Sequence, residues 1–362
     1  MKIVYLGKYV ENEIMNGPEK FSRRLFQFAS SDYKITFIDY FFKRCKQNNF
    51  VESWIGQKKV TSAPEVLRLG LFPLFYYLKK QKPNIIHVLT AERFTILVYL
   101  YKVFIRSKIV TTFHSIQKYE IPNNVKKKKE FNRYRDYIWE WLAIKLSDKL
   151  IFLSADHLAL AEEYYNINKS KVAIIPNGVE KEFVNINRKI KIDNFLKIVF
   201  YNGNNDFIDR GLEKILNILN ISGLPLKLYI IGRRPVFLDI NLDVELCSPM
   251  NKNELESFLA DKHILLKSTT FDTFPIFAIE CMAAGLIVIL SSKVGCVKYI
   301  INGKNGFVYD YDKPEKINEI LKNLYYGKFN LNNISENAKK IINQLGWDRI
   351  SKMYINCYEK EL

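Results

Sequence analysis

Apolar residues in this chain follow two rhythms. Short unbroken runs rich in Val, Ile and Leu alternate with longer segments in which apolar positions recur every three or four residues. The runs Ile3-Val4-Tyr5-Leu6, Ile85-Ile86-His87-Val88 and Leu150-Ile151-Phe152-Leu153 have the pattern of parallel strands buried on both faces. The periodic segments between them have the pattern of crossover helices. The spacing predicts strands over 2–6, 34–39, 84–88, 108–113, 149–153 and 171–175, and helices over 19–28, 94–104, 126–147 and 156–165. After Pro176-Asn177-Gly178-Val179 the stretch 180–194 is polar and Asn-rich, as expected of a linker. A second series follows, with strands over 196–201, 226–231, 264–266, 286–290 and 305–309 and helices over 212–219, 252–258, 314–325 and 335–344. Residues 347–358 end the chain at helical spacing. The expected fold class is α/β, with two Rossmann-like, doubly wound domains (1–185 and 186–345), a terminal helix at 346–362 and a cleft between the domains.

Composition agrees with two cores: 362 residues, 48% hydrophobic and 26% charged. Five scattered cysteines and four histidines, none at metal-ligand spacing, imply reduced thiols in a cytoplasmic protein and no metal site. The first residues enter a strand rather than a signal peptide, and no apolar run approaches the roughly 20 residues of a spanning helix. The formal charge of +17 suggests an anionic partner. Lys126, Lys127, Lys128 and Lys129 open a predicted helix that continues through Arg133, Tyr134, Tyr137, Ile138, Trp139 and Trp141. A basic helix with aromatic residues fits an anionic membrane surface, and it equally fits aromatics packed into their own domain. No nucleic-acid recognition module is visible.

The stretch Phe271 to Gly285 carries the most chemistry. Asp272 and Glu280 lie eight positions apart, across a turn-like start and an apolar helix. The amides of Thr273, Phe274 and Ile276 sit where a helix begins, a position suited to phosphate; Pro275 has no N–H to offer. Glu280, further in, can accept hydrogen bonds from the hydroxyls of a sugar or ribose. Asp272 has an alternative role as the helix N-cap. Gly17, His114, Arg210 and Asp272 each follow a predicted strand, where open α/β sheets bind ligands. His87 lies in a strand core and reads as structural, and no G-x-G-x-x-G follows a strand.

Several ordered motifs give these pieces a family likeness. They are Thr111-Thr112-Phe113-His114, Ile174-Ile175-Pro176-Asn177-Gly178-Val179 with Phe183, Asn202-Gly203-Asn204 through Arg210-Gly211, Ile231-Gly232, Asp272 to Glu280 with Met282-Ala283-Ala284-Gly285, and Asn302-Gly303-Lys304-Asn305-Gly306-Phe307-Val308. Together the chain resembles the retaining glycosyltransferases of family 4 (glycosyltransferase group 1), of the GT-B fold, with Asp272 in place of the first Glu of the E-x7-E element. The resemblance implies a nucleoside-diphosphate-sugar donor, UDP-linked, no catalytic metal, and a last helix that returns to the first domain. It places Arg210 on the donor phosphates, with Asn204 where a second cation usually stands, and Gly17 and Gly232 at the close approach of backbone to donor. It places His114 and Asp272 on the donor sugar and Glu280 on the ribose. The implied reaction moves a hexose or N-acetylhexosamine to a saccharide, lipid-linked in one version, during assembly of envelope polysaccharide (capsule or lipopolysaccharide) at the inner face of the membrane. Two alternatives stay open: an epimerase or inactive transferase of the same fold, favoured by Asn204, Asp272 and Pro275, and a basic membrane- or polyanion-binding module.

Overall fold

The computed structural model describes residues 1–11, 14–30, 33–40, 55–60, 63–90, 98–99, 101–102, 104, 106–120, 122, 130–188, 190–203, 211–232 and 241–362. The chain forms two compact units, one of Met1–Ile121, Lys128–Pro176 and Trp347–Leu362, the other built on Asn177–Gly346.

In chain order the first unit holds β1 (Ile3–Gly7), α1 (Gly17–Ala29), β2 (Ile35–Tyr40), β3 (Gln57–Val60), β4 (Ala63–Leu69), α2 (Leu71–Gln81), β5 (Ile85–Val88), β6 (Lys108–Thr112), α3 (Gln117–Glu120), α4 (Glu130–Leu146), β7 (Lys149–Phe152), α5 (Ala155–Tyr164) and β8 (Val172–Ile174). The strands make one sheet in the order β3-β4-β2-β1-β5-β6-β7-β8. All neighbours are parallel except β3 and β4. Every residue of β1 and β5 is buried, which is why both read as continuous apolar runs. Helix α1 starts with Asn16 and Glu19 in a reciprocal capping box, and Gly17-Pro18 occupies its first turn.

The second unit holds β9 (Leu196–Gly203), α6 (Leu212–Asn220), β10 (Leu226–Gly232), β11 (Asp243–Cys247), α7 (Lys252–Leu259), β12 (Ile264–Lys267), α8 (Ile276–Ala283), β13 (Ile287–Ser291), β14 (Phe307–Tyr309), α9 (Lys316–Tyr325), α10 (Leu331–Lys339) and α11 (Ile342–Leu345). Its sheet is parallel throughout, in the order β11-β10-β9-β12-β13-β14. Ile198, Phe200, Leu228, Ile230, Ile264, Leu266, Ile287 and Ile289 project from it into one apolar core. Among the parallel strands of each sheet the order reverses once, beside β1 and β5 in the first and beside β9 and β12 in the second. Such reversals open a crevice outside the carboxyl ends of the strands.

The last helix, α12 (Trp347–Glu359), belongs to the first unit. It lies against α1, with Trp347 stacked on Phe28 and Tyr33 donating a 2.8 Å hydrogen bond to Glu359. His87 is fully buried between Tyr358, 2.6 Å from its Nδ1, and Thr112, 2.8 Å from its Nε2. That is the structural role expected of it.

Several elements depart from the sequence pattern. Strands β3, β4 and β11 and helix α2 have no counterpart in it. Strands β3 and β11 are mostly exposed edge strands without a clear apolar alternation. Helix α2 is apolar on nearly all sides and carries Pro73 in its first turn, where proline is tolerated. The expected linker 180–194 is packed instead. Phe183 and Ile190 are buried, and Arg188 donates to the carbonyls of Leu259, Lys262 and Ala284, near the ends of α7 and α8. An arginine there satisfies carbonyls that helices leave open at their C-termini. The predicted helices over 94–104 and 126–147 lie in part outside the described residues.

Candidate functional site

Two sets of predicted residues are brought together, one in each unit. In the first unit they gather at the carboxyl ends of β1, β5 and β6. His114 follows β6, and its Nε2 donates to the carbonyl of Leu89, just past β5, at 2.9 Å. A carbonyl only accepts, so the proton is on Nε2. The Leu89 amide in turn donates to Leu6 of β1 at 2.8 Å. Burial holds the His114 imidazole down at about 4, against the opposing effect of the Leu89 carbonyl. The ring meets Phe21 edge-on at 4.7 Å, and Phe21 lies one turn beyond Gly17 in α1. Gly17 is exposed, and a Cβ there would meet no atom of the described residues within 4 Å.

Three residues after His114 the chain meets a group absent from the sequence analysis. Glu140 of α4 accepts hydrogen bonds from the Gln117 amide at 2.9 and 3.0 Å and from the Tyr165 hydroxyl at 2.6 Å. It thereby caps α3, three residues after His114. Burial outweighs these bonds and pushes the carboxyl up to about 7.

In the second unit the gathering point is the carboxyl end of β12, beside the switch in strand order. Asp272 does not cap α8; that position belongs to Pro275, and it makes no side-chain capping bond. The Asp272 carboxylate is ion-paired instead with Lys267, the last residue of β12, at 2.8 Å, with only 13% and 10% of the two side chains exposed. The backbone of Asp272 is clamped to the loop after β13. Its amide donates to Lys293 at 3.1 Å, and its carbonyl accepts from Gly295 at 2.8 Å. Burial and the negative charge of Asp272 push the nearby Cys296 thiol up to about 12.

Helix α8 begins at Ile276, so the amides of Ile276 and Phe277 have no acceptor within the helix. Pro275 precedes them and supplies no amide. Thr273 lies between Asp272 and the buried Phe274. The Phe274 carbonyl accepts from the Asn177 side chain at 2.7 Å. Asn177 of the Pro-Asn-Gly-Val motif therefore braces the mouth of this helix. Glu280 is buried in α8, 2% exposed. Phe277, three residues earlier and so on a neighbouring face, rests 5.1 Å from the Tyr201 ring at the end of β9. The second unit thus carries a charged pair at the end of β12 and open amides at the start of α8, a combination suited to a phosphate.

Gly232 ends β10 at φ +102°, and a Cβ there would fall 2.5 Å from the Gly203 carbonyl. Close packing of two strand ends therefore accounts for this glycine. Gly211 likewise has φ +71° and leaves no room for a Cβ beside Ser268, which follows Lys267. Asn204 and Arg210 lie outside the described residues, as do Lys126, Lys127, Lys128 and Lys129; Arg133 lies within α4. Among the described residues no group of three or more His, Cys, Asp or Glu is placed to hold a metal ion, and no helix is long and apolar enough to cross a membrane.

Residues 54–183 match the glycosyltransferase family 4 profile, and residues 223–341 match that of glycosyl transferases group 1. The two do not overlap and together cover more than half of the chain. The chain belongs to the family 4 and group 1 glycosyltransferases, and its two parallel-sheet units are those of the GT-B fold. An uncharacterized glycosyltransferase of Methanocaldococcus jannaschii is 24% identical over 250 residues, which span 61% of this chain and 62% of that relative, under two thirds of its length. Among solved structures, sucrose-phosphate synthase from Thermosynechococcus elongatus superposes with a TM-score of 0.74 at 15% identity, covering 99% of this chain and 98% of its own. HepE of Anabaena in complex with UDP-glucose superposes with a TM-score of 0.73 at 13% identity, covering 99% of this chain and 100% of its own.

Proposed function

We propose that the protein is a retaining, metal-independent glycosyltransferase that moves a hexose or N-acetylhexosamine from a UDP-linked donor to a lipid-linked saccharide during assembly of envelope polysaccharide. The observation that supports the donor reading is the carboxyl end of β12, where the Lys267–Asp272 pair stands in the loop before the mouth of α8, the helix that carries the buried Glu280. In this reading the diphosphate takes the amides at the start of α8 and the guanidinium of Arg210. Negative charge that develops on the leaving phosphate is met there by groups already in place. Glu280 accepts from the ribose hydroxyls and Asp272 from the sugar. Gly17 and His114 serve the same donor from the first unit, with His114 near the reacting carbon. The acceptor attacks on the face the diphosphate leaves, and the diphosphate takes its proton, so no side-chain nucleophile is required. The UDP-glucose complex of HepE supports the choice of base.

A membrane surface as the place of work is supported by α4, where Tyr134, Ile138 and Trp141 are 67%, 54% and 47% exposed along one side.

A thermal-shift screen with UDP-, GDP- and ADP-sugars, followed by an assay of nucleotide release in the presence of acceptor and EDTA, tests the reading. A shift with UDP-sugars and release with net retention at the anomeric carbon are expected. No shift with any nucleotide sugar overturns it.

A further inference from the structure

Helix α2 has two apolar sides where one would serve a core. Leu71, Leu74 and Leu78 recur at helical spacing and are buried. Phe72, Phe75, Tyr76 and Lys79 recur at the same spacing on another side. Tyr76 is 66% exposed, so packing within the unit does not explain it. The half-buried Phe75 links this side to a second exposed ring. It packs on Tyr101 at 4.6 Å and meets Phe104 edge-on at 6.2 Å, and Phe104 is 72% exposed. The Tyr101 hydroxyl donates to the Leu71 carbonyl at 3.4 Å and ties that segment to α2. Large rings grouped at a surface mark a place of contact, whereas a single exposed apolar residue does not.

The charge beside these rings has one sign. Lys79, Lys80 and Lys82 finish α2 and are exposed, as are Arg106 and Lys108. The two groups meet at the amino edge of the first sheet. There the Ser107 hydroxyl donates to the Pro83 carbonyl at 2.6 Å, and the Lys108 amide donates to the Asn84 carbonyl at 2.9 Å. Lys2 reaches the same edge, its Nζ donating to the Gln81 carbonyl at 3.4 Å. Stretches 66–91 and 98–119 contain no Asp or Glu. Lys102 is matched by Asp148 at 2.7 Å, but among the described residues no carboxylate pairs with Lys2, Lys79, Lys80, Lys82, Arg106 or Lys108. A second copy of the chain would bring the same cations face to face, and like charges across an interface repel. An anionic bilayer suits both features: aromatic rings settle at the headgroup boundary, and lysines on long stems reach the lipid phosphates.

We propose that the Tyr76 side of α2, with Phe104 and the cations at the amino edge, is a second contact of the first unit with an anionic lipid surface, additional to α4. It rests on the membrane reading above. His114 stands at the carboxyl edge of the same sheet, so the cations of this contact lie at the opposite edge from it.

The test is co-sedimentation of the full chain with vesicles of phosphatidylglycerol and phosphatidylcholine, and of phosphatidylcholine alone. It compares the wild type, Tyr76→Ser with Phe104→Ser, and Lys79→Gln with Lys80→Gln. All four side chains are exposed, so the melting temperatures should agree. At low salt the lysine variant should bind the anionic vesicles about tenfold to thirtyfold more weakly, and this loss should shrink as salt is added. The ring variant should bind about tenfold more weakly at every salt concentration at which the wild type still binds, because ring burial is not screened. If the ring variant unfolds, the lysine variant decides the matter alone. Wild-type binding in both variants overturns the inference and leaves α4 as the contact. A wild type that sediments with neither kind of vesicle overturns the membrane reading as well. A wild-type dimer in analytical ultracentrifugation that the ring variant dissociates, with vesicle binding unchanged, also overturns it and gives this face to a second copy of the chain.

Discussion

The two sheets end in different chemistry. At the carboxyl edge of the first, His114 is neutral, held by a backbone carbonyl and faced by the Phe21 ring. At the edge of the second, Lys267 and Asp272 keep opposite charges with little exposure to water. One architecture thus supports a neutral hydrogen-bonding end and a charged one. A neutral imidazole can guide hydroxyls without competing for phosphate. A charged cluster can hold a diphosphate, but it costs stability when half of it is removed.

The largest expected effect exploits that difference. Lys267→Met removes one cation from the buried Asp272 and should lower stability by about 3–5 kcal/mol, whereas His114→Gln, which can keep a donor to Leu89, should cost less. Urea unfolding of the two variants gives the order, and equal losses would erase the contrast. Next, Arg210→Ala and Glu280→Ala should each weaken nucleotide binding by about 1–3 kcal/mol, the worth of a charged hydrogen bond. Titration with UDP checks this; unchanged affinity in both variants would remove the donor from the second unit.

A smaller effect sharpens the first unit's side. His87 and His114 are held at about 3 and about 4 when folded, below the usual 6.5, so the unfolded chain binds more protons and stability falls as pH drops below 6.5. Glu140 acts the other way. Raised to about 7 from 4.5, it gives the folded state the extra proton, so its contribution grows as pH falls from about 7 toward 4.5. Removing it with Glu140→Gln should make the acid-side loss steeper by one proton, about 1.4 kcal/mol per pH unit. Urea midpoints between pH 7 and 4.5 measure the slope, and an unchanged slope would show that Glu140 does not titrate there. The smallest effect concerns α4: Trp141→Ser combined with neutralised Lys126 to Lys129 should release the protein from anionic vesicles at low salt, as read by co-sedimentation. Undiminished binding would exclude this surface.

The architecture was legible because parallel strands buried on both faces leave continuous apolar runs, as in β1, β5 and β13. Edge strands such as β11 face water and leave no such trace. Asp272 and Glu280 stood out because carboxylates are rare in an apolar stretch. Lys267 did not, since a lysine closing a strand looks like its solvated end. Its partner lies five residues away, across a turn whose path the pattern does not encode. The packing of 180–194 was missed for a similar reason: Phe183, Arg188 and Ile190 anchor the segment at irregular intervals.

The helix that finishes the chain has a consequence for biogenesis. Tyr358 reaches His87 inside the first sheet's unit, and Trp347 and Tyr354 border Phe21 there. During synthesis that unit lacks this helix until Trp347–Leu362 leave the ribosome, whereas Asn177–Gly346 already holds all the described strands of its own sheet. Asn177–Gly346 therefore has its own elements in hand earlier, and the first unit waits for Trp347–Leu362.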